Sequence, residues 1–373
     1  MIHVRPLHSL RVAFAALLLG SSLAGAATSY TVVDLSGAAL GSANAIAGGL
    51  ASGYTGPIGQ VTHATVWTAS GSIDVHPETL GGAGSRSAIQ GAGAGVQVGT
   101  VSGVATSNRQ LPVVWNGTVA SARLLPIPFT NFGGRAIATD GVQIVGTATG
   151  LNAEDGVIGL THALLWDAAT GTAVDLGDGG NGAVAFGVGG GQQVGYVIKG
   201  AASAAVWSGT SRSLVVLHPK NAVTSVASAT DGVRQVGYAG YDVRVRREAA
   251  KGNKDARFNY ATLWTGTAAS AVNIHPYQAV NSPTIFTQSY AAAIIGDVVV
   301  GHATDGALST SSPAYNHAVV WNVATFDVVD LNAFLPAGFV GSIAYAIDPA
   351  GTIAGQMLDA SGNRRACLWV PNP

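Results

Sequence analysis

Short apolar runs punctuate this chain, and seven of them close on a tryptophan. They read His63-Ala64-Thr65-Val66-Trp67, Leu111-Pro112-Val113-Val114-Trp115, His162-Ala163-Leu164-Leu165-Trp166 and Ser203-Ala204-Ala205-Val206-Trp207. The series continues with Tyr260-Ala261-Thr262-Leu263-Trp264, His317-Ala318-Val319-Val320-Trp321 and Arg365-Ala366-Cys367-Leu368-Trp369. A run ending in glycine precedes each one, as in Val96-Gln97-Val98-Gly99, Gln143-Ile144-Val145-Gly146 and Arg234-Gln235-Val236-Gly237-Tyr238. Before that comes a run of small residues, such as 42–46 or 344–347. After the tryptophan follows a fourth run, such as Ile73-Asp74-Val75, Val174-Asp175-Leu176 or Val328-Val329-Asp330-Leu331. Runs this short, bounded by glycine and without a sustained 3.6-residue spacing, predict β-strands. We term them A (small residues), B (glycine end), C (tryptophan) and D.

The tryptophans stand 41 to 57 residues apart. Four strands repeated seven times at that period predict an all-β fold, a seven-bladed β-propeller with four-stranded blades. The two ends sharpen the expectation. Tyr30-Thr31-Val32-Val33-Asp34-Leu35 reads as a D strand with no A, B or C before it, whereas the last repeat reaches Trp369 without a D strand behind it. The N-terminal strand is therefore expected to pair as the outer strand of the last blade, closing the ring and removing an open edge. Residues 27–373 then form one propeller domain. Small A-strand residues suit the crowded axis. The flat tryptophans suit the space between blades, where they bury much apolar area.

Charge narrows the functional classes. The chain has 18 Lys and Arg, 19 Asp and Glu, and a formal net charge of −1. That removes global electrostatic attraction to nucleic acid or to an acidic membrane. Hydrophobic residues make up 48%, enough for a large core and against disorder. The lone Cys367 allows no internal disulfide and no cysteine-based zinc site. Residues 1–26 read as a secretory signal, with Arg5 and Arg11 ahead of a short apolar stretch, 12–19, and a small-x-small site at Ala24-Gly25-Ala26. That stretch falls short of the about 20 residues that span a bilayer, so no transmembrane segment is expected. The expected location is periplasmic or extracellular.

The recurring His-Ala-x-x-Trp, with Val-Gly-Tyr upstream and Val-Asp-Leu downstream, resembles the extracellular HAF-type repeat proteins of bacteria. His63-Ala64, His162-Ala163 and His317-Ala318 keep the pair, and the other four copies lose the histidine. The resemblance covers nearly all of 27–373 and implies a secreted repeat protein, with no chemistry attached.

Motifs with a catalytic mechanism are absent: no Gly-x-Ser-x-Gly, no phosphate loop, no dinucleotide fingerprint, no His-Glu-x-x-His. Asp34, Asp175 and Asp330 recur at one repeat position and read as structure. No catalytic residue, metal or cofactor is assigned. Asn152-Ala153-Glu154-Asp155-Gly156 lacks the alternating acids of a calcium loop. Seven histidines map to the face carrying the D–A and B–C connections: His63, His162 and His317 start C strands, His76, His218 and His275 follow D strands, and His302 follows a B-strand glycine. Spread over different blades, they are expected to tie loops by hydrogen bonds rather than to gather a metal. Only His63 with His76, and His302 with His317, share a blade.

The longest B–C insertion, 239–259, collects Arg244, Arg246, Arg247, Lys251, Lys254 and Arg257 against Asp242, Glu248 and Asp255. It is the candidate ligand-binding element, for an anionic polysaccharide, a lipid headgroup or a partner protein, set against a merely solvated hairpin. The sequence thus points to a secreted propeller acting as a binding scaffold for an unidentified ligand through its loop-rich face. The alternatives are an exported hydrolase or lyase acting on polysaccharide, which acids and aromatics in the central funnel would favour, and a cell-surface structural protein.

Overall fold

The computed structural model describes residues 27–37, 39–57, 60–151, 158–177, 180–245, 254–305 and 315–373. The expected signal segment, the Asn152–Gly156 loop and Arg246, Arg247 and Lys251 lie outside them. Seven four-stranded antiparallel sheets stand in a ring, a seven-bladed β-propeller. Blades 1 to 6 occupy 41–74, 86–124, 130–175, 183–216, 224–273 and 286–330, each in the order A-B-C-D. Among the described residues no helix is long and apolar enough to cross a membrane.

Blade 7 takes Phe339–Ile347, Ile353–Asp359 and Arg364–Pro371 from the C-terminal end, and Tyr30–Asp34 as its outer strand. The register sets Tyr30 against Pro371, Val32 against Trp369 and Asp34 against Cys367. Backbone bonds continue past both ends, from Asn372 N–H to the Ser29 carbonyl (3.1 Å) and from Leu35 N–H to the Ala366 carbonyl (3.0 Å). Tyr30 is buried beside Phe334, and Asp34 pairs with Arg365 at 3.3 Å. The expected closure is the one observed. It leaves the C strand of the last blade without an open edge.

All seven tryptophans lie between blades and are almost fully buried. Trp115 of blade 2 packs on Ala64, Val66 and Val75 of blade 1, and Trp67 of blade 1 packs on Ala354 and Ala366 of blade 7. Trp115, Trp166 and Trp369 also donate their indole N–H to carbonyls of the preceding blade's trailing segment, at Val75 (3.1 Å), Pro126 (2.6 Å) and Leu331 (3.3 Å). The indole nitrogens of Trp67, Trp207, Trp264 and Trp321 are buried without a partner among the described residues. Apolar area, not hydrogen bonding, is therefore what all seven share.

The B-strand glycines answer a separate demand. Each A strand carries a β-bulge opposite its glycine: the pairing skips one residue between Ala43 and Ala45, Ile89 and Gly91, Ala136 and Ala138, and likewise in the other four blades. A bulge leaves the extra residue unpaired and bends its strand. Here it pushes the A-strand backbone onto the B strand. A Cβ on Gly53 would sit 1.9 Å from the Ser42 carbonyl oxygen, and one on Gly195 would sit 1.8 Å from that of Val184. Only glycine admits that approach.

A candidate binding funnel on the propeller axis

The bulge and the glycine together build the interior of the ring. The seven bulged residues are Asn44, Gln90, Ile137, Phe186, Ser228, Ala292 and Tyr345, and all of them line one axial cavity of about 730 Å³. Side chains alternate along a strand, so the residue after each B-strand glycine turns to the opposite face from it. Five of those residues, Tyr54, Tyr196, Tyr238, His302 and Gln356, line the same cavity. In blades 2 and 3 the position holds Thr100 and Thr147. The aromatic wall thus belongs to blades 4 to 7 and blade 1, and the funnel is lopsided.

Within this wall Phe186 and Tyr196 pack at 5.8 Å, Tyr238 meets Tyr290 edge-on at 5.0 Å, and His302 stacks on Tyr290 at 4.8 Å. Tyr290 is anchored further by the Asn259 amide, which donates to its hydroxyl at 2.8 Å. Tyr54 and Tyr345 make no ring-to-ring contact among the described residues, although Tyr54 is near enough to raise Tyr345. Burial shapes the charge as well. It pushes His302 down to about 4, so the ring is neutral near pH 7. It pushes Tyr345 up to about 12, and raises Tyr54 and Tyr238 too. Arg364 opposes the rise at Tyr54 and Tyr345, because a nearby cation favours the phenolate.

No Asp or Glu stands among the described lining residues. Arg364, the first residue of the last C strand, is the one lining group there that is charged at neutral pH, and it makes no ion pair among the described residues. Beside it on blade 7, the amide oxygen of buried Gln356 has no hydrogen-bond partner among the described residues.

The histidines divide into three groups. His63, His162 and His317 each bond through Nδ1 to the D-strand aspartate of the same blade: Asp74 at 2.7 Å, Asp175 at 2.9 Å and Asp330 at 2.9 Å. His76, His218 and His275 reach the next blade instead, to Ser87 (2.7 Å), Ser225 (2.8 Å) and Ser289 (2.8 Å). Those hydroxyls already accept the backbone N–H of Ala64, Ala204 and Ala261. A hydroxyl keeps a second lone pair, so the direction of the serine–Nδ1 bond is fixed where Nε2 faces a carbonyl: at His218 the imidazole proton sits on Nε2 and Ser225 donates to Nδ1. That imidazole proton is donated to the Ala222 carbonyl at 3.0 Å. Hydrogen bonding is thus their role, but with aspartate and serine side chains more than with loop backbone. His63 and His76 do come together, stacked at 4.0 Å. His302 does not join His317; it turns to the axis. No three metal-ligating side chains converge among the described residues.

The basic insertion is a long hairpin rather than a loop over its whole length. Strands Gln235–Val245 and Lys254–Trp264 carry it, and their register sets Arg244 against Asp255 and Val245 against Lys254. Arg257 pairs with Asp242 at 3.0 Å. Arg257, the one of the six whose side chain is described, does not line the cavity.

Sequence reasoning missed the funnel residues. The signal was there in the Gly-Tyr that closes three B runs, at Tyr54, Tyr196 and Tyr238. Its direction needed the bulge, which carries no residue signature of its own.

No protein-family model and no curated protein matches the chain. Solved structures do. The β-propeller domain of the Trilobed protease from Pyrococcus furiosus, described as having an open velcro topology, aligns at TM-score 0.53 and 11% identity, over 89% of this chain and 95% of that one. An acylaminoacyl peptidase of Pyrococcus horikoshii aligns at TM-score 0.48 and 10% identity, over 90% of this chain but 51% of its own, so this chain spans about half its length. At such identities the likeness is one of fold.

Proposed function

We propose that this protein is an exported propeller of the HAF-repeat type that serves as a binding scaffold, with the axial funnel as its binding site. The observation that carries the reading is the lining itself: a cavity of about 730 Å³ walled by Tyr54, Tyr196, Tyr238, Tyr290 and Tyr345, without a carboxylate among the described lining residues. Volume and composition match a small-molecule site, mostly apolar with a few placed polar groups. The hydrolase alternative needs two carboxyl groups across the scissile bond, and the described wall supplies none. A lyase would need a lining base. Tyr345, at about 12, and His302, at about 4, are both poorly matched to proton abstraction near pH 7. The basic hairpin then serves as an accessory contact for an anionic chain or a partner protein.

A panel of oligosaccharides and aromatic acids, titrated calorimetrically into the mature protein, tests this reading. Binding that Ala292→Trp abolishes by filling the funnel supports it. Binding untouched by that variant sinks it, and any probe returned cleaved favours the enzyme alternative.

A further inference from the structure

We propose that the funnel wall shared by blades 7 and 1 is a subsite for a hydroxylated ring bearing a carboxylate. The inference rests on the reading of the funnel as the binding site and names the ligand's chemistry. Three features meet on this wall.

The first is Arg364, a cation on a carboxylate-free lining that makes no ion pair among the described residues. A guanidinium offers a planar fork that matches a carboxylate in two parallel bonds. Arg234 shows what an arginine with a structural task looks like in this fold, clamped between Asp231 and Asp297 at 2.9 and 2.7 Å. Arg364 has no such clamp.

The second is the pair Tyr54 and Tyr345. The other lining tyrosines spend a ring face or edge on each other, on Phe186 or on His302. These two make no ring-to-ring contact among the described residues, stand close enough for Tyr54 to raise Tyr345 further, and both feel the charge of Arg364. Their rings are available to stack on a planar ring or on the C–H face of a sugar.

The third is the Gln356 side chain, 3% exposed, with its amide oxygen buried and unpartnered on the cavity lining. An unmet buried acceptor is costly, and a turn of the Gln356 amide that brings its oxygen to a ligand hydroxyl in the cavity removes the cost. An anion, a ring face and a hydroxyl donor describe both a uronic acid and a phenolic acid. The experiment separates the two.

The titration uses galacturonate and glucuronate with their short oligomers in one arm, and hydroxybenzoate and hydroxycinnamate in the other. Methyl esters of each acid serve as uncharged partners. The expected result is that one arm binds, with its esters weaker by about tenfold or more, the range of a lost charged hydrogen bond. Arg364→Gln should bring acid and ester to the same affinity, and Arg364→Lys should keep only part of the preference. Gln356→Leu should weaken hydroxylated ligands and spare their deoxy analogues.

Esters that bind as tightly as acids, an acid preference that survives Arg364→Gln, or no binding in either arm each overturn the inference. Filling the funnel with Ala292→Trp, or with Ser228→Trp should the first fail to fold, tells this failure from that of the funnel reading. Neutral ligands lost on filling keep the funnel and remove the carboxylate subsite. Acid binding that persists in the filled variant but disappears in Arg364→Gln moves the site to the outer groove beside Gly362 and Asn363, where Arg364 also points. That result sinks both.

Discussion

Adding one carbon to Gly237 tests how the funnel is built. The Cβ of Gly237→Ala would lie 2.0 Å from the Val226 carbonyl oxygen and 2.9 Å from the Ala227 Cα. Both obstacles are backbone, so no rotamer change relieves them. To bring the first contact near 3 Å, the A and B strands of blade 5 must part by about 1 Å at the bulge, where Ala227 pairs with Gly237. Overpacking of a well-filled site costs about 1–3 kcal/mol. A purely backbone clash that also stretches a ladder hydrogen bond belongs at the upper end, about 3 kcal/mol. Gly266→Ala is the matched control in the same blade. Gly266 has a φ of +83° and nothing within 4 Å of the added carbon, so alanine there incurs only the left-handed strain of about 1–2 kcal/mol. Urea unfolding of both variants and the parent, followed by tryptophan fluorescence, reads the difference as a shift in midpoint. A Gly237→Ala variant as stable as Gly266→Ala would refute the account of the bulge and, with it, of why tyrosines line the axis.

Other outcomes follow from the same structure. Trp115→Phe removes the bond to Val75 and strands a buried carbonyl, while Trp264→Phe removes an N–H that has no partner; the first should cost about 1–2 kcal/mol more than the second in chemical denaturation. Burial lowers both His275 and His302 to about 4, below the ordinary histidine value of 6.5. The unfolded chain therefore binds more protons between these limits. Stability should be full above about pH 6.5 and fall as pH drops toward 4, and His275→Asn should flatten that slope in midpoints measured at pH 7 and pH 4.5. Ser225→Ala leaves the Ala204 N–H and His218 Nδ1 without their shared partner, and a loss of about 1–3 kcal/mol is expected from thermal or urea unfolding, against near zero for the exposed Ser70→Ala. Replacing Arg244, Lys254 and Arg257 with glutamine should leave folding intact and reduce the salt dependence of any acidic polysaccharide binding; an unchanged salt series would remove the hairpin from the binding surface.

Much of the architecture was legible because its signals are local and repeated. Trp67 through Trp369 mark the C strands by period alone, and Tyr30–Asp34 declares itself a D strand by lacking everything that should precede it. The funnel was not legible in the same way. Asn44, Phe186 and Tyr345 belong to runs of small residues that read as plain strands. A bulge shifts the side-chain parity by one, and nothing in those residue types says where the shift occurs. The candidate rim histidines were placed on the right elements, but their partners, such as Ser87 for His76 and Asp175 for His162, are set by how neighbouring strands pack.

The amino-acid sequence by itself determined the number of blades, the strand order within each and the closure of the ring, since these follow from repeat period and from which strand is missing at each end. Tertiary structure alone decided what faces the axis. Parity at a bulge, the approach of two backbones at Gly237, and the placing of Arg364 on a lining without a described carboxylate are relations between segments, and segment-by-segment reading carries no record of them.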